Sequence, residues 1–242
     1  MSNHESIVLS AQGLTAGYGR GTVLHGINFE LREGEVVAIL GSNGAGKTTF
    51  VRTLAGQLKA RAGDITLLGR PVARSSVRNR VRSGLIVVPE GRRLFQRLTV
   101  AENIALGTRQ GKRRPGGGEL LELVLSTLPD LSRLWKTRAG LLSGGQQQMV
   151  AIARGAAANP RVLLLDEPTL GLSPKLSDEV LDLVAVLGQV RSLSVVLVEQ
   201  QADRALAISD RGYVIDRGTV AITGPSAVLL ADDAVRSAYL GL

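Results

Sequence analysis

The sequence contains no cysteine, so disulfides, zinc–thiolate sites and thiol catalysis are excluded. It has two histidines, His4 and His25, both near its start, which argues against a multi-histidine metal site. Aromatic residues are 3% of the chain, too few for a row of base-stacking platforms. No apolar run approaches the roughly 18 residues of a membrane-spanning helix. Met1 to Ser10 lacks the charged-then-apolar layout of a secretory signal, so a cytoplasmic protein is expected. What remains is an ordinary folded composition over 242 residues, with 44% hydrophobic and 21% charged residues. One large domain, or one domain with an inserted subdomain, fits that length. The 29 basic and 21 acidic residues leave a net charge of +8. Arg70, Arg74, Arg78, Arg80, Arg82, Arg92, Arg93 and Arg97 crowd one stretch, read either as a solvated surface or as one that attracts phosphate, nucleic acid or anionic lipid.

Four short runs rich in β-branched residues read as strands buried on both faces of a parallel sheet: Val36 to Leu40, Leu85 to Val88, Val162 to Leu165 and Val195 to Val198. Helical patterns lie between them. Leu176, Val180, Val184 and Leu187 recur at helical spacing, with Ser173 placed to cap that helix and Pro174 to start it. Alternating strands and helices imply an α/β fold. Ile7 to Glu35 instead reads as antiparallel sheet, with turns at Gly17-Tyr18-Gly19 and Arg32-Glu33-Gly34. Residues 93–159 read as helical, interrupted by a Gly-rich, basic run at 111–118 expected to be a mobile loop. Tyr213 to Gly224 reads as a hairpin turning at Asp216-Arg217-Gly218.

Gly41-Ser42-Asn43-Gly44-Ala45-Gly46-Lys47-Thr48 matches the phosphate-loop pattern G-x-x-x-x-G-K-[ST]. It follows a strand and opens a helix, as that pattern requires. Its glycines let backbone N–H groups form an anion nest, and the helix N-terminus adds partial positive charge. Lys47 is expected to reach the β- and γ-phosphates of ATP and Thr48 to hold Mg²⁺, with Thr49 completing the nucleotide-binding run. The strand ending in Asp166-Glu167 supplies carboxylates beside that loop: Asp166 for Mg²⁺, Glu167 to polarise an attacking water.

Leu142-Ser143-Gly144-Gly145-Gln146 precedes an apolar helix running from Met149 to Ala158, with Ser143 fitting an N-cap. One chain thus carries two glycine-rich anion loops and a single carboxylate-bearing strand, which invites a site shared between chains. The phosphate loop, this second loop and the run from Leu163 to Pro168, in this order and spacing, resemble the nucleotide-binding subunits of ABC transporters over nearly the whole chain. The resemblance implies a P-loop NTPase fold: an ABC ATPase core at about 7–92 and 160–242, including an N-terminal antiparallel β subdomain, with an inserted helical subdomain at 93–159, all in one domain, 1–242. It also implies a head-to-tail dimer sandwiching ATP between one chain's phosphate loop and the other's Ser143, Gly144, Gly145 and Gln146. Tyr18 matches the family's adenine-stacking aromatic.

The runs from Val88 to Phe95, Leu98 to Asn103, Glu167 to Pro174, Val198 to Gln201 and Ser237 to Gly241 are similar to the LivF-type ATP-binding subunits of branched-chain amino acid importers. That branch implies a second, LivG-like ATP-binding subunit, two transmembrane permease subunits and an extracytoplasmic binding protein, at the cytoplasmic face of the membrane. Homodimerisation of the isolated chain is possible, and no nucleic acid is expected. Glu90 stands where most of the family has a Gln that contacts Mg²⁺ or the lytic water. Gln200 replaces a γ-phosphate-contacting His, and Ser173 replaces an interface-crossing Asp. Two other readings stay open here: a regulatory ATP-binding subunit with weak hydrolysis, and a soluble nucleic-acid-associated ATPase of the same fold.

Overall fold

A computed structural model describes residues 6–111 and 118–232. Most of the glycine-rich run at 111–118, and the ending from Ser237 to Gly241, lie outside the described residues.

The N-terminal strands β1 (Ile7–Ala16) and β2 (Leu24–Arg32) pair antiparallel, with register shifts that bend the ribbon. Beyond β3 (Val36–Leu40), the phosphate loop and α1 (Lys47–Leu54), the chain returns to that first sheet through β4 (Ala62–Leu67) and β5 (Arg70–Pro71), giving the order β2-β1-β4-β5. The remaining elements are α2 (Val77–Ser83), β6 (Leu85–Val88), α3 (Val100–Gly111), α4 (Glu119–Thr127), α5 (Pro129–Arg133), α6 (Gly144–Ala157), β7 (Val162–Asp166), α7 (Pro174–Gly188), β8 (Ser194–Val198), α8 (Ala202–Ala207), β9 (Arg211–Asp216), β10 (Thr219–Pro225) and α9 (Ser226–Ala231). They alternate strand and helix except for the expected run of helices α3–α6 and the hairpin β9–β10. The second sheet has the order β10-β9-β3-β8-β7-β6. Its pairs are parallel except for β10, which folds back on β9 as the expected hairpin.

The sheet's central strands are buried along their whole length because successive side chains feed two cores. Val36, Ala38 and Leu40 of β3, Leu163 and Leu165 of β7, and Val195 and Leu197 of β8 pack with α3, α4, α6 and α7. Val37 and Ile39, Val162 and Leu164, and Val196 and Val198 pack with the antiparallel sheet and α1. There the scarce aromatics gather: Phe29 meets Phe50 edge-on at 5.2 Å and Tyr213 at 5.1 Å. This second core fixes α1, and so the phosphate loop, against both sheets. Truncating a side chain such as Leu164 to Ala would cost about 2–5 kcal/mol.

Two expectations need correction. Ser173 sits at the N-cap of α7 with extended backbone, but its side chain caps nothing, and only its carbonyl accepts, from Ser177 N–H. Arg80 is not part of a solvated or anion-facing arginine surface. It is 2% exposed, while Arg70, Arg74, Arg78, Arg82, Arg93 and Arg97 are exposed. Its Nη1 donates to Thr53 O (2.8 Å) and Leu54 O (2.5 Å), and its Nη2 to Val72 O (2.7 Å) and Ala73 O (3.2 Å). A cation at the C-terminal end of α1 satisfies Leu54 O, which the helix leaves orphaned, adds a second donor to Thr53 O and opposes the helix dipole. Burial pushes the Arg80 pKa down.

Candidate nucleotide site

Strand β3 ends at Leu40, and its last hydrogen-bonding positions aim the chain into the phosphate loop. Gly41 has φ 148°, and a Cβ there would strike Ile215 O, so no other residue fits. Gly46, at φ 114°, is the N-cap of α1. The β9–β10 turn supports the loop from behind: Gly218 N–H donates to Ala45 O at 2.9 Å, and His25 N–H donates to Gly218 O at 2.8 Å.

Lys47 is 4% exposed. Its Nζ donates to Gly41 O (2.8 Å) and Ser42 O (3.2 Å) and pairs with Glu167 Oε1 at 3.2 Å. The carboxylate comes from just beyond β7, where Glu167 adopts φ 48° and donates its backbone N–H to Val198 O at 3.0 Å. That left-handed turn redirects the chain at the strand end and is a strained conformation for a non-glycine residue. Gln200, beyond β8, donates from Nε2 to Glu167 Oε2 at 2.6 Å. Val23, Asn43, Gly44, Gly46, Lys47, Thr48, Thr49, Glu90, Glu167, Leu170 and Gln200 line one cleft of about 390 Å³.

Asp166 closes β7. It is 4% exposed, and its Oδ1 has no hydrogen-bond partner. Burial, then the nearby charges of Glu167 and Glu90, push its pKa up to about 6. A buried carboxylate oxygen without a donor is costly, and a cation beside it would remove that cost. Among the described residues no cluster of three or more His, Cys, Asp or Glu forms a metal cage. Thr48 and Glu90 line the cleft, and Asp166 behind them feels the charge of Glu90, so together they offer a sparse set of hard-oxygen groups. That set fits Mg²⁺, which keeps waters and takes phosphate oxygens as further ligands.

The remaining expected residues lie outside that cleft. Tyr18 is 45% exposed on its turn, its hydroxyl accepting from Arg52 Nη1 of α1 at 3.3 Å. Ser143 and Gln146 form a capping box on α6: Gln146 N–H donates to Ser143 Oγ (3.3 Å), and Ser143 N–H donates to Gln146 Oε1 (3.0 Å). Both glycines pack against flexible side-chain ends: a Cβ on Gly144 would lie 3.0 Å from the Arg92 guanidinium, and one on Gly145 would lie 2.5 Å from Leu176 Cδ1. None of Ser143, Gly144, Gly145 and Gln146 lines the cleft holding Lys47. The same helix reaches back toward Glu90. Arg154 donates to Arg93 O (2.9 Å) and Arg92 O (3.1 Å), holding a turn in which Gly91, Arg92 and Arg93 all have positive φ. Sequence reasoning missed Val23, Leu170, Arg154 and the buried Glu199; of these, only the charge of Glu199 in an apolar strand end gave a signal.

A phosphate loop at the end of a parallel strand, with carboxylates at the same end of a strand two places away in the sheet, defines a P-loop nucleoside triphosphatase. A family model described as ABC transporter matches residues 24–170. The high-affinity branched-chain amino acid transport ATP-binding protein BraG of Pseudomonas aeruginosa is 39% identical over 97% of this chain and 100% of its own. The probable branched-chain amino acid transport ATP-binding protein LivF of Archaeoglobus fulgidus is 31% identical over 95% of this chain and 97% of its own. A solved structure of the ATP-binding subunit of an ABC transporter superposes with a TM-score of 0.81 at 26% identity, covering 97% of this chain and 96% of that one. The chain belongs to the ABC transporter family, as one of its ATP-binding subunits, an ATPase coupled to transport. Among the described residues no helix is long and apolar enough to cross a membrane.

Proposed function

We propose that this chain energises uptake of branched-chain or related hydrophobic amino acids. The observation that carries this is the end-to-end 39% identity to BraG. In this reading the chain sits at the cytoplasmic face of the membrane. It works with a second, LivG-like ATP-binding subunit, two transmembrane permease subunits and an extracytoplasmic binding protein. As a single ATP-binding domain it forms a head-to-tail pair in which the partner's Ser143-equivalent loop, absent from the cleft of this chain, completes the nucleotide site.

In the cleft, the backbone of residues 41–46 and the ammonium of Lys47 hold the triphosphate, with Thr48 and Thr49 opening α1 beneath it. Tyr18 stacks on the base. Thr48, Asp166 and Glu90 would hold Mg²⁺, which would offset the charge that develops on the phosphoryl oxygens. Glu167 takes a proton from the water that attacks the γ-phosphorus, and ADP leaves as the γ-phosphate–ADP oxygen bond breaks. Gln200 fixes the direction of that carboxylate through its 2.6 Å hydrogen bond. The test is affinity purification from gently solubilised native membranes, followed by uptake assays with the recovered complex. Two multi-spanning proteins and a second ATP-binding chain, together with ATP-dependent leucine uptake, are expected; recovery of soluble partners alone would overturn it.

A further inference from the structure

We propose that Glu199 is a positioning residue for hydrolysis, its buried carboxylate clamping the loop that carries Glu167 to the strand end that carries Gln200. The inference rests on the roles given above to Glu167 and Gln200.

Glu199 follows β8 directly and is 3% exposed. Its Oε1 accepts from Thr169 N–H at 3.1 Å and from the Thr169 hydroxyl at 2.8 Å, while its Oε2 accepts from Gln200 N–H at 3.3 Å. Thr169 is two residues beyond Glu167 in a tight turn, where Leu170 N–H donates to Glu167 O at 3.2 Å and Leu172 N–H to Thr169 O at 3.1 Å. One carboxylate therefore ties together the two segments whose side chains meet at the 2.6 Å bond between Gln200 and Glu167. A charge at this place is expensive: burial first, and the field of Glu167 last, push the Glu199 carboxyl upward. A leucine or valine would close the strand at less cost. Three donors converge on Glu199 and offset much of that penalty. They also use both of its oxygens, so neither segment turns without breaking a charge-assisted hydrogen bond. Glu167 is held in left-handed backbone that is unfavourable for a non-glycine residue, and the tie at Thr169 opposes its relaxation. The expected consequence is loss of alignment rather than loss of nucleotide affinity.

The experiment uses the assembled transporter with the partner subunit's nucleotide site inactivated, measuring kcat and KM for ATP. Glu199→Ala should lower kcat about tenfold or more while KM stays within about threefold, as expected when a reacting group is misplaced by a fraction of an ångström. Glu199→Gln should recover part of the loss, because its side-chain oxygen still accepts from Thr169. Thr169→Val, which removes one donor and conserves volume, should show a smaller fall of the same kind, and it carries the test if Glu199→Ala fails to fold. In a Gln200→Ala background, Glu199→Ala should cost less than in the native chain, since both act on Glu167. Native kcat in Glu199→Ala, fully multiplicative losses in the double variant, or equal changes in kcat and KM would overturn the proposal. Glu167→Gln, assayed alongside, separates the two levels. Its full activity would overturn the reading of the site, whereas its inactivity with a native Glu199→Ala would overturn this proposal alone.

Discussion

The ammonium of Lys47 lies 3.2 Å from Glu167 Oε1, with both side chains almost fully buried. In this geometry the group that would bind phosphate and the group that would activate water neutralise each other. Phosphate oxygens compete with Glu167 for Lys47, so on this geometry nucleotide entry and release of the carboxylate are one event. Glu167→Gln removes the competitor and keeps the shape. ATP affinity is expected to rise a few-fold while phosphate release falls by about a hundredfold or more, the range for losing a general base. Phosphate release and filter-bound ATP, measured on the assembled complex with the partner's site silenced, check both; unchanged release would remove Glu167 from its role.

Lys47→Ala acts from the other side of that pair. It strips the cleft of its central cation and leaves Gly41 O, Ser42 O and Glu167 without the donor they share. A carboxylate left with only the Gln200 amide and facing a triphosphate is repulsive, so the substitution costs more than the missing ammonium alone. ATP binding followed by calorimetry should disappear in the range where the native chain saturates. Retained affinity within about threefold would mean that the loop's backbone amides carry the phosphate unaided.

Much of this arrangement was legible in the sequence because it depends on local order along the chain. Residues 41–49 bring their own turn chemistry, and the apolar runs of β3 and β7 end where the chemistry begins. The N-cap at Ser143 is equally local, and the structure adds Gln146 as its reciprocal partner. Contacts across long separations were not legible. Nothing near Glu199 announces Thr169, 30 residues away, and the arginine-rich stretch gives no sign that Arg80 turns inward to the end of α1 while its neighbours stay exposed. Ser173 shows the converse: the right residue type at the right place, with a side chain the helix does not use.

Arg80 gives a stability prediction independent of the nucleotide. Four carbonyls from α1 and the segment after β5 accept from its two terminal nitrogens. Arg80→Met would fill similar volume and leave Leu54 O and Ala73 O without a donor, while Thr53 O and Val72 O keep the backbone N–H groups of Gly56 and Ser75, at a cost of about 2 kcal/mol or more. Arg80→Lys supplies one point donor in place of a planar fork and should recover only part. Urea unfolding should show a lower midpoint in both variants, with Met the lower. Equal midpoints for the native chain and Arg80→Met would mean that water satisfies those carbonyls.

Asp166 predicts how the ligand-free chain responds to pH. Its carboxyl ionises near 3.8 when unfolded and near about 6 in the folded protein. As pH rises through that interval the unfolded chain releases the proton first, so stability present below the lower value is lost by the time pH passes the upper one. The gap is worth about 3 kcal/mol at most, since a pKa unit is about 1.36 kcal/mol. Asp166→Asn has no proton to release and escapes that loss. In nucleotide-free buffer with a chelator, the variant should melt above the native chain at pH 7 to 8, and the two curves should converge toward pH 4. ATP with Mg²⁺ should reverse the order at neutral pH, because the ionised oxygen that destabilises the empty site is the one a cation would use. Parallel melting curves across the whole range would show that Asp166 ionises as an ordinary surface carboxylate does. The unpartnered Oδ1 would then need a bound water rather than a metal to explain it.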